Sequence, residues 1–161
     1  MSKLVFGILM AVVWWMIHAL QMDEELAMNT VHEAKRAVDR AAHAAAQQLD
    51  RDRLEMGIIT LDSDLAKATA YAYLQANLRL DAELDPLPGS MLRDQVVVEQ
   101  FMVAGEAEVF PYTYRNDLYA YEVTLSRPGV VLIVHLTFPR LFGVLAPVSW
   151  DLKGSAETVY A

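Results

Sequence analysis

The sequence predicts an α+β protein: a long N-terminal helix, a second helix, then an antiparallel sheet of three to four strands. Three observations predict it. An apolar run opens the chain, Leu20 to Leu54 contain neither Pro nor Gly, and the hydrophobic period changes beyond Gln95. The 161 residues carry a net charge of −8 and contain no cysteine. The acidic balance disfavours phosphate-backbone binding, so no nucleic-acid partner is expected. Lacking Cys, the chain has no disulfides, no zinc-finger site and no thiol catalysis. A mean hydropathy of +0.22 is high for an acidic chain and implies that apolar residues are concentrated in one segment.

That segment is Leu4–Leu20, seventeen residues interrupted only by His18. At 1.5 Å per residue it spans about 25 Å, the short end of what crosses a bilayer. Trp14 and Trp15 lie towards its C-terminal end, where an aromatic belt is expected, and Lys3 precedes it. Residues 1–22 therefore read as a transmembrane anchor in contact with the lipid bilayer, with Lys3, Trp14 and Trp15 at the membrane interface. One Lys before the span and Asp23, Glu24 and Glu25 after it place the N-terminus in the cytoplasm and the rest outside. The alternative is a signal peptide cleaved after Ile17-His18-Ala19.

Residues 23–56 read as an amphipathic rod continuing the same helix. Leu26, Val31, Ala34, Val38, Ala41, Ala45 and Leu49 recur at three-and-four spacing, and Lys35 and Asp39 form an i,i+4 pair opposite. A stripe this rich in Ala has little bulk to bury, but it lets another backbone approach closely. Its partner is either the chain's own C-terminal domain or a neighbouring helix. The expected helix-packing interface is Val31, Ala34, Val38, Ala41, Ala45 and Leu49.

Residues 57–161 read as an exposed α+β domain. Gly57 ends the rod, and Asp62 or Ser63 caps a second helix running to about Leu80. The prolines and glycine of LDAELDPLPGS mark a loop. Gln95–Ala104, Asp117–Ser126 and Val130–Phe138 are rich in β-branched and aromatic residues and read as strands, with Arg127-Pro128-Gly129 as a hairpin turn. A last strand is expected from Ser149 to Lys153 or through Val159.

Chemistry finds no foothold. His32 and His43 are eleven residues apart, roughly 16 Å along a helix, too far for one metal. Asp81, Glu83 and Asp85 alternate as in a calcium loop, but an EF-hand would need Gly where Pro86 stands and Glu where Leu92 stands. No nucleophile elbow or glycine-rich phosphate loop is present. The expectation is a protein that is not an enzyme, with no catalytic residue, no cofactor and no metal. Tyr112, Tyr114, Tyr119 and Tyr121 are candidates for a recognition surface.

A membrane helix continuing outward as an alanine-rich rod, followed by a compact sheet domain, resembles the plan of type IV pilin-like proteins. The closer resemblance is to TadE/TadG-like proteins of tight-adherence (Flp) pilus systems. It rests on AVDRAAHAAAQQLD, on ATAYAYLQANLRLD and on FPRLFGVLAPVSWDLKGSAETVYA. The pilin leader pattern is absent: the fifth residue after Gly7 is Val12, and residues 1–22 hold no Glu. The resemblance implies a minor pilin or assembly component of a pilus or related secretion apparatus, packing on other pilin-like subunits or copies of itself through the N-terminal helix. The alternative function is a membrane-tethered module that binds a wall polymer or small ligand through the tyrosine-bearing sheet.

Overall fold

The computed structural model describes residues 2–140, 142 and 146–159. Its elements are α1 (Ser2–Ala45), α2 (Arg51–Glu55), α3 (Ser63–Leu78), β1 (Val97–Ala104), β2 (Tyr112–Asn116), β3 (Tyr121–Leu125), β4 (Gly129–Phe138) and β5 (Val148–Glu157). The α+β class and the single long N-terminal helix are as expected.

The rod is shorter than its sequence suggests. Nothing between Ala46 and Leu54 is a helix breaker, yet α1 stops at Ala45 rather than near residue 56. Tertiary pairing overrides propensity there. Gln48 O accepts from Asp62 N (2.9 Å), Asp50 N donates to Thr60 O (3.0 Å), and Leu49 bridges Leu61. The backbone is thereby drawn into an extended pair, and Asp50 restarts a single short helix by capping Arg53 N. α3 begins as expected, with the Asp62 carboxylate accepting from Leu65 N at 2.9 Å. It ends at Leu78, with Arg79 in the left-handed region at φ 55°.

The strands form two sheets rather than one. The larger has the order β1-β4-β5, antiparallel throughout; the smaller is the β2-β3 hairpin. The run expected as one strand over 117–126 starts only at Tyr121, because Asp117–Ala120 is the β2–β3 turn. Arg127-Pro128-Gly129 is consequently a corner between sheets and not a hairpin turn. A Cβ on Gly129 would lie 2.5 Å from Ala156 O, and Thr158 N donates to Pro128 O at 2.8 Å. At this corner the chain crosses hard against the end of β5, and that close crossing sends β3 onto the face of the larger sheet.

The domain is thus layered: α1 and α3, then β1-β4-β5, then β2-β3. Val130, Leu132, Val134 and Leu136 of β4 join Ala34, Val38, Ala41, Ala42 and Ala45 of α1 and Ala66, Ala70 and Leu74 of α3 in the main core. Val131 faces the opposite way and packs with Ala104 and Leu125 under the tyrosines of β2-β3. The alternation along β4 buries both faces because each has a cover.

Candidate membrane and assembly interface

Residues 2–18 of α1 project away from the core. Every described residue from Ser2 to His18 is exposed, including Trp15 at 70%. Its most apolar 18-residue window has a mean hydropathy of 1.9, with none of it buried. A single helix long and apolar enough to cross a membrane therefore stands clear of the domain. Side chains this apolar need a non-aqueous surrounding, because each one left in water forfeits its transfer free energy. Lys3, Trp14 and Trp15 all lie on this free segment. Trp14 packs edge-on against Trp15 (6.2 Å) and against His18 (4.1 Å), and His18 Nδ1 is 3.2 Å from Gln21 Oε1. His18 and Gln21 thus pair one polar atom each along the helix.

The change of environment falls at one residue. Asp23 is fully buried, and from it runs the line Ala27, Thr30, Ala34, Ala37, Val38, Ala41, Ala42 and Ala45. Asp23 Oδ1 accepts from Phe142 N at 3.4 Å, next to an ion pair between Arg140 Nη1 and Glu24 Oε1 at 3.5 Å. Arg140 Nε also donates to Ala146 O at 2.9 Å. Arg140 and Phe142 are thereby tied to the first turn of α1 beyond the apolar run. Leu26, read as part of the buried stripe, is instead 39% exposed. Ala27 and Thr30 occupy the face it was assigned to, and the Thr30 hydroxyl is satisfied by Leu26 O at 2.9 Å.

The six positions expected to form the helix-packing interface do pack, but against the chain itself. Ala34, Val38, Ala41 and Ala45 are fully buried between the sheet and α3, while Val31 and Leu49 are half-buried against the same core. These four buried positions lie against the chain's own sheet and α3, the first of the two partners that the sequence left open. The reason for the alanines is visible at Gly154. A Cβ there would lie 2.8 Å from Val38 Cγ1 and 3.2 Å from Val38 O, so strand and helix backbones meet almost directly. Small residues on one side and glycine on the other are what this separation requires.

The remaining candidates are held in structural roles. Asp81 Oδ1 accepts from Glu83 N (3.0 Å) and Asp85 N (2.8 Å), closing its own loop. His32 and His43 are exposed on α1, and His135 Nδ1 lies 2.7 Å from Asp151 Oδ1 on the outer sheet face. Among the described residues no three His, Asp or Glu side chains converge. Tyr112, Tyr114 and Tyr121 are half-buried over the second core, with Tyr121 Oη donating to Ser155 Oγ at 3.2 Å. Tyr119 Oη donates to Glu99 Oε2 at 2.9 Å, and this bond to a carboxylate holds the phenol above its ordinary pKa of 10.0.

One cleft was not anticipated. It has a volume of about 610 Å³ and runs between α1 and the 91–93 segment, with Leu26, Glu33, Arg36, Met91, Arg93 and Phe138 in its walls. Its residues are scattered over three segments, so no local sequence signal marks it. Neither a protein-family model, nor a curated protein, nor a solved structure matches this chain.

Proposed function

We propose that this protein is a membrane-anchored structural component of a surface assembly, of the pilus or related secretion type, that acts by helix packing within the bilayer. The observation that carries this reading is the division of α1: residues 2–18 are bare on all sides, while the helix beyond Asp23 is built into its own domain. The small-residue face of the helix beyond Asp23 is already occupied, so the broad apolar surface left for other helices is that of the membrane half. The contact surface is therefore moved from the alanine stripe to the span, where Gly7 and Ala11 are four residues apart on one face. Lys3 before the span and Glu24 and Glu25 after it support an orientation with the N-terminus cytoplasmic and the domain outside. The TadE/TadG-like resemblance supports the choice of assembly.

The test combines shearing with cross-linking. Because the chain has no native Cys, single cysteines at successive positions from Val5 to Val13 report contacts between spans. The expected result is disulfide dimers recurring every three to four residues, with the protein in sheared filaments or in a large membrane complex. A monomer that forms no such dimers and stays wholly in the membrane fraction refutes the reading. The second reading, a tethered binding module, is favoured by the cleft, where Arg36 and Arg93 have no ion-pair partner among the described residues. It predicts a monomer that retains wall fragments and loses them on Arg93→Ala.

A further inference from the structure

The cleft between α1 and the 91–93 segment is positioned by the core beneath it. Leu92 is 3% exposed, so its neighbours Met91 and Arg93 are turned outward together. Their segment is held on both sides. Ser90 Oγ donates to Leu78 O at 2.8 Å and accepts from Leu92 N at 3.3 Å, while Val96 N donates to Leu84 O at 3.1 Å. On the facing wall, Ala34 and Ala37 bury one side of α1 and leave Glu33 and Arg36 to line the cleft. Phe138, buried and 6.5 Å from the Trp150 ring, adds an apolar wall. Leu26 and Met91 border the same space and stay 39% and 43% exposed, although both are large apolar side chains. Arg36 and Arg93 have no acceptor among the described residues, whereas Arg40, Arg53, Arg115 and Arg140 each have one. Glu33 is the one acid among the described residues lining the cleft, and it pairs with neither arginine.

We propose that this cleft binds a small amphiphile with a single negative charge, a carboxylate or a phosphate diester. Arg36 and Arg93 hold the charged group, and Leu26, Met91 and Phe138 receive the apolar body. The inference deepens the reading of the protein as a tethered binding module and rests on it. Charge sets the head group. Two arginines against Glu33 leave a surplus of one positive charge, which a monoanion neutralises. Guanidinium forks match carboxylate and phosphate oxygens with paired hydrogen bonds, and here two of them stand on separate walls with their donors unspent. Space sets the body. A volume of about 610 Å³ lies within the range of small-molecule sites, and an inorganic ion would leave most of it to water. Water held against Leu26 and Met91 is released when an apolar group covers them, which favours a ligand with such a group over a bare anion. Leu26 and Arg36 are ten residues apart on α1, about 15 Å, so the cleft is long enough for an apolar body beside the charged group.

Equilibrium dialysis of the full chain in dodecylmaltoside micelles, with protein-free micelles subtracted, tests the proposal. The probes are 4-phenylbutanoate, methyl 4-phenylbutyl phosphate and the uncharged 4-phenylbutanamide. Saturable binding of either anion is expected, and the tighter of the two names the head group. Arg36→Gln and Arg93→Gln should each weaken it by about fivefold, as should replacing the carboxylate by the amide. Glu33→Gln should tighten it, because the one repelling charge is removed. Both arginines are exposed, so the Gln variants should unfold at the parent's midpoint, which separates lost binding from lost fold. An amide that binds as tightly as the carboxylate, or Gln variants that bind like the parent, overturns the anionic ligand and leaves a binding module of another kind. A parent that binds neither anion but retains wall fragments through Arg93 overturns the amphiphile alone. Binding of neither the probes nor wall fragments overturns the amphiphile and the binding module together.

Discussion

Adding one methyl group at Gly154 tests whether the helix–sheet seam is as tight as its geometry states. The new Cβ would meet Val38 Cγ1 at 2.8 Å and Val38 O at 3.2 Å. Ordinary carbon contacts lie near 3.5–4.0 Å, so α1 and β5 must separate by about 0.7 Å or distort. Overpacking of this kind costs about 1–3 kcal/mol, and we expect about 2 for Gly154→Ala. Val38→Ala removes two fully buried methyl groups, about 1.6 kcal/mol of transfer free energy, and with the cavity term about 2. In the double variant the added methyl occupies the space vacated, while the contact with the Val38 carbonyl remains tight. The pair should then cost about 2 rather than 4 kcal/mol, a coupling of roughly 2. The assay is thermal unfolding of the full chain in detergent micelles, followed by near-ultraviolet circular dichroism; each kcal/mol corresponds to roughly 2–4 °C for a chain of this size. A Gly154→Ala protein within about 0.5 kcal/mol of the parent, or a double variant whose cost equals the sum of the singles, refutes the close-approach argument.

Two further outcomes follow from local geometry. Asp62→Ala removes the acceptor for Leu65 N and should lower stability by about 1 kcal/mol, read as a fall of a few degrees in Tm, with Asp62→Asn restoring most of it. The Tyr119–Glu99 bond favours the protonated phenol, so its contribution is fully present below pH 10.0 and is lost as pH rises through the raised value. Urea midpoints between pH 8.5 and 11 should fall less steeply in Tyr119→Phe than in the parent; equal slopes would mean that the bond is not maintained in solution.

Much of the architecture is legible in local sequence. The apolar run, the Pro- and Gly-free rod, the Asp62 cap and the β-branched runs of β1, β4 and β5 each carry their own signal, and apart from the C-terminal end of the rod each element stands within a few residues of where it is expected. What escapes local reading is decided by partners distant in the chain. Gln47–Asp50 has helical propensity, but the backbone groups of Gln48 and Asp50 are claimed by Thr60 and Asp62. Tyr112–Asn116 is too short and polar to announce itself as a strand until Tyr121–Leu125 pairs with it. Arg127-Pro128-Gly129 has turn chemistry in either arrangement, and only the crowding at Ala156 makes it a corner. The packing stripe was legible for the same reason as the helix, since three-and-four spacing survives in alanine. Its occupant was not, because nothing in Ala34 or Ala41 distinguishes a sheet of the same chain from a helix of another.

The unbroken passage of α1 from the free segment into the core makes the protein a lever. No linker absorbs a change in angle, so the domain and the span turn as one body. Residues 23 to 45 rise about 33 Å, and a tilt of about 10° in the bilayer would swing Ala45 sideways by about 6 Å. With an apolar run of about 25 Å facing a hydrocarbon core of about 30 Å, the helix has no length to spare for tilting. If residues 2–22 span a membrane as proposed, bilayer thickness sets the posture of the whole molecule: the helix stands upright, and a thick bilayer thins locally around it.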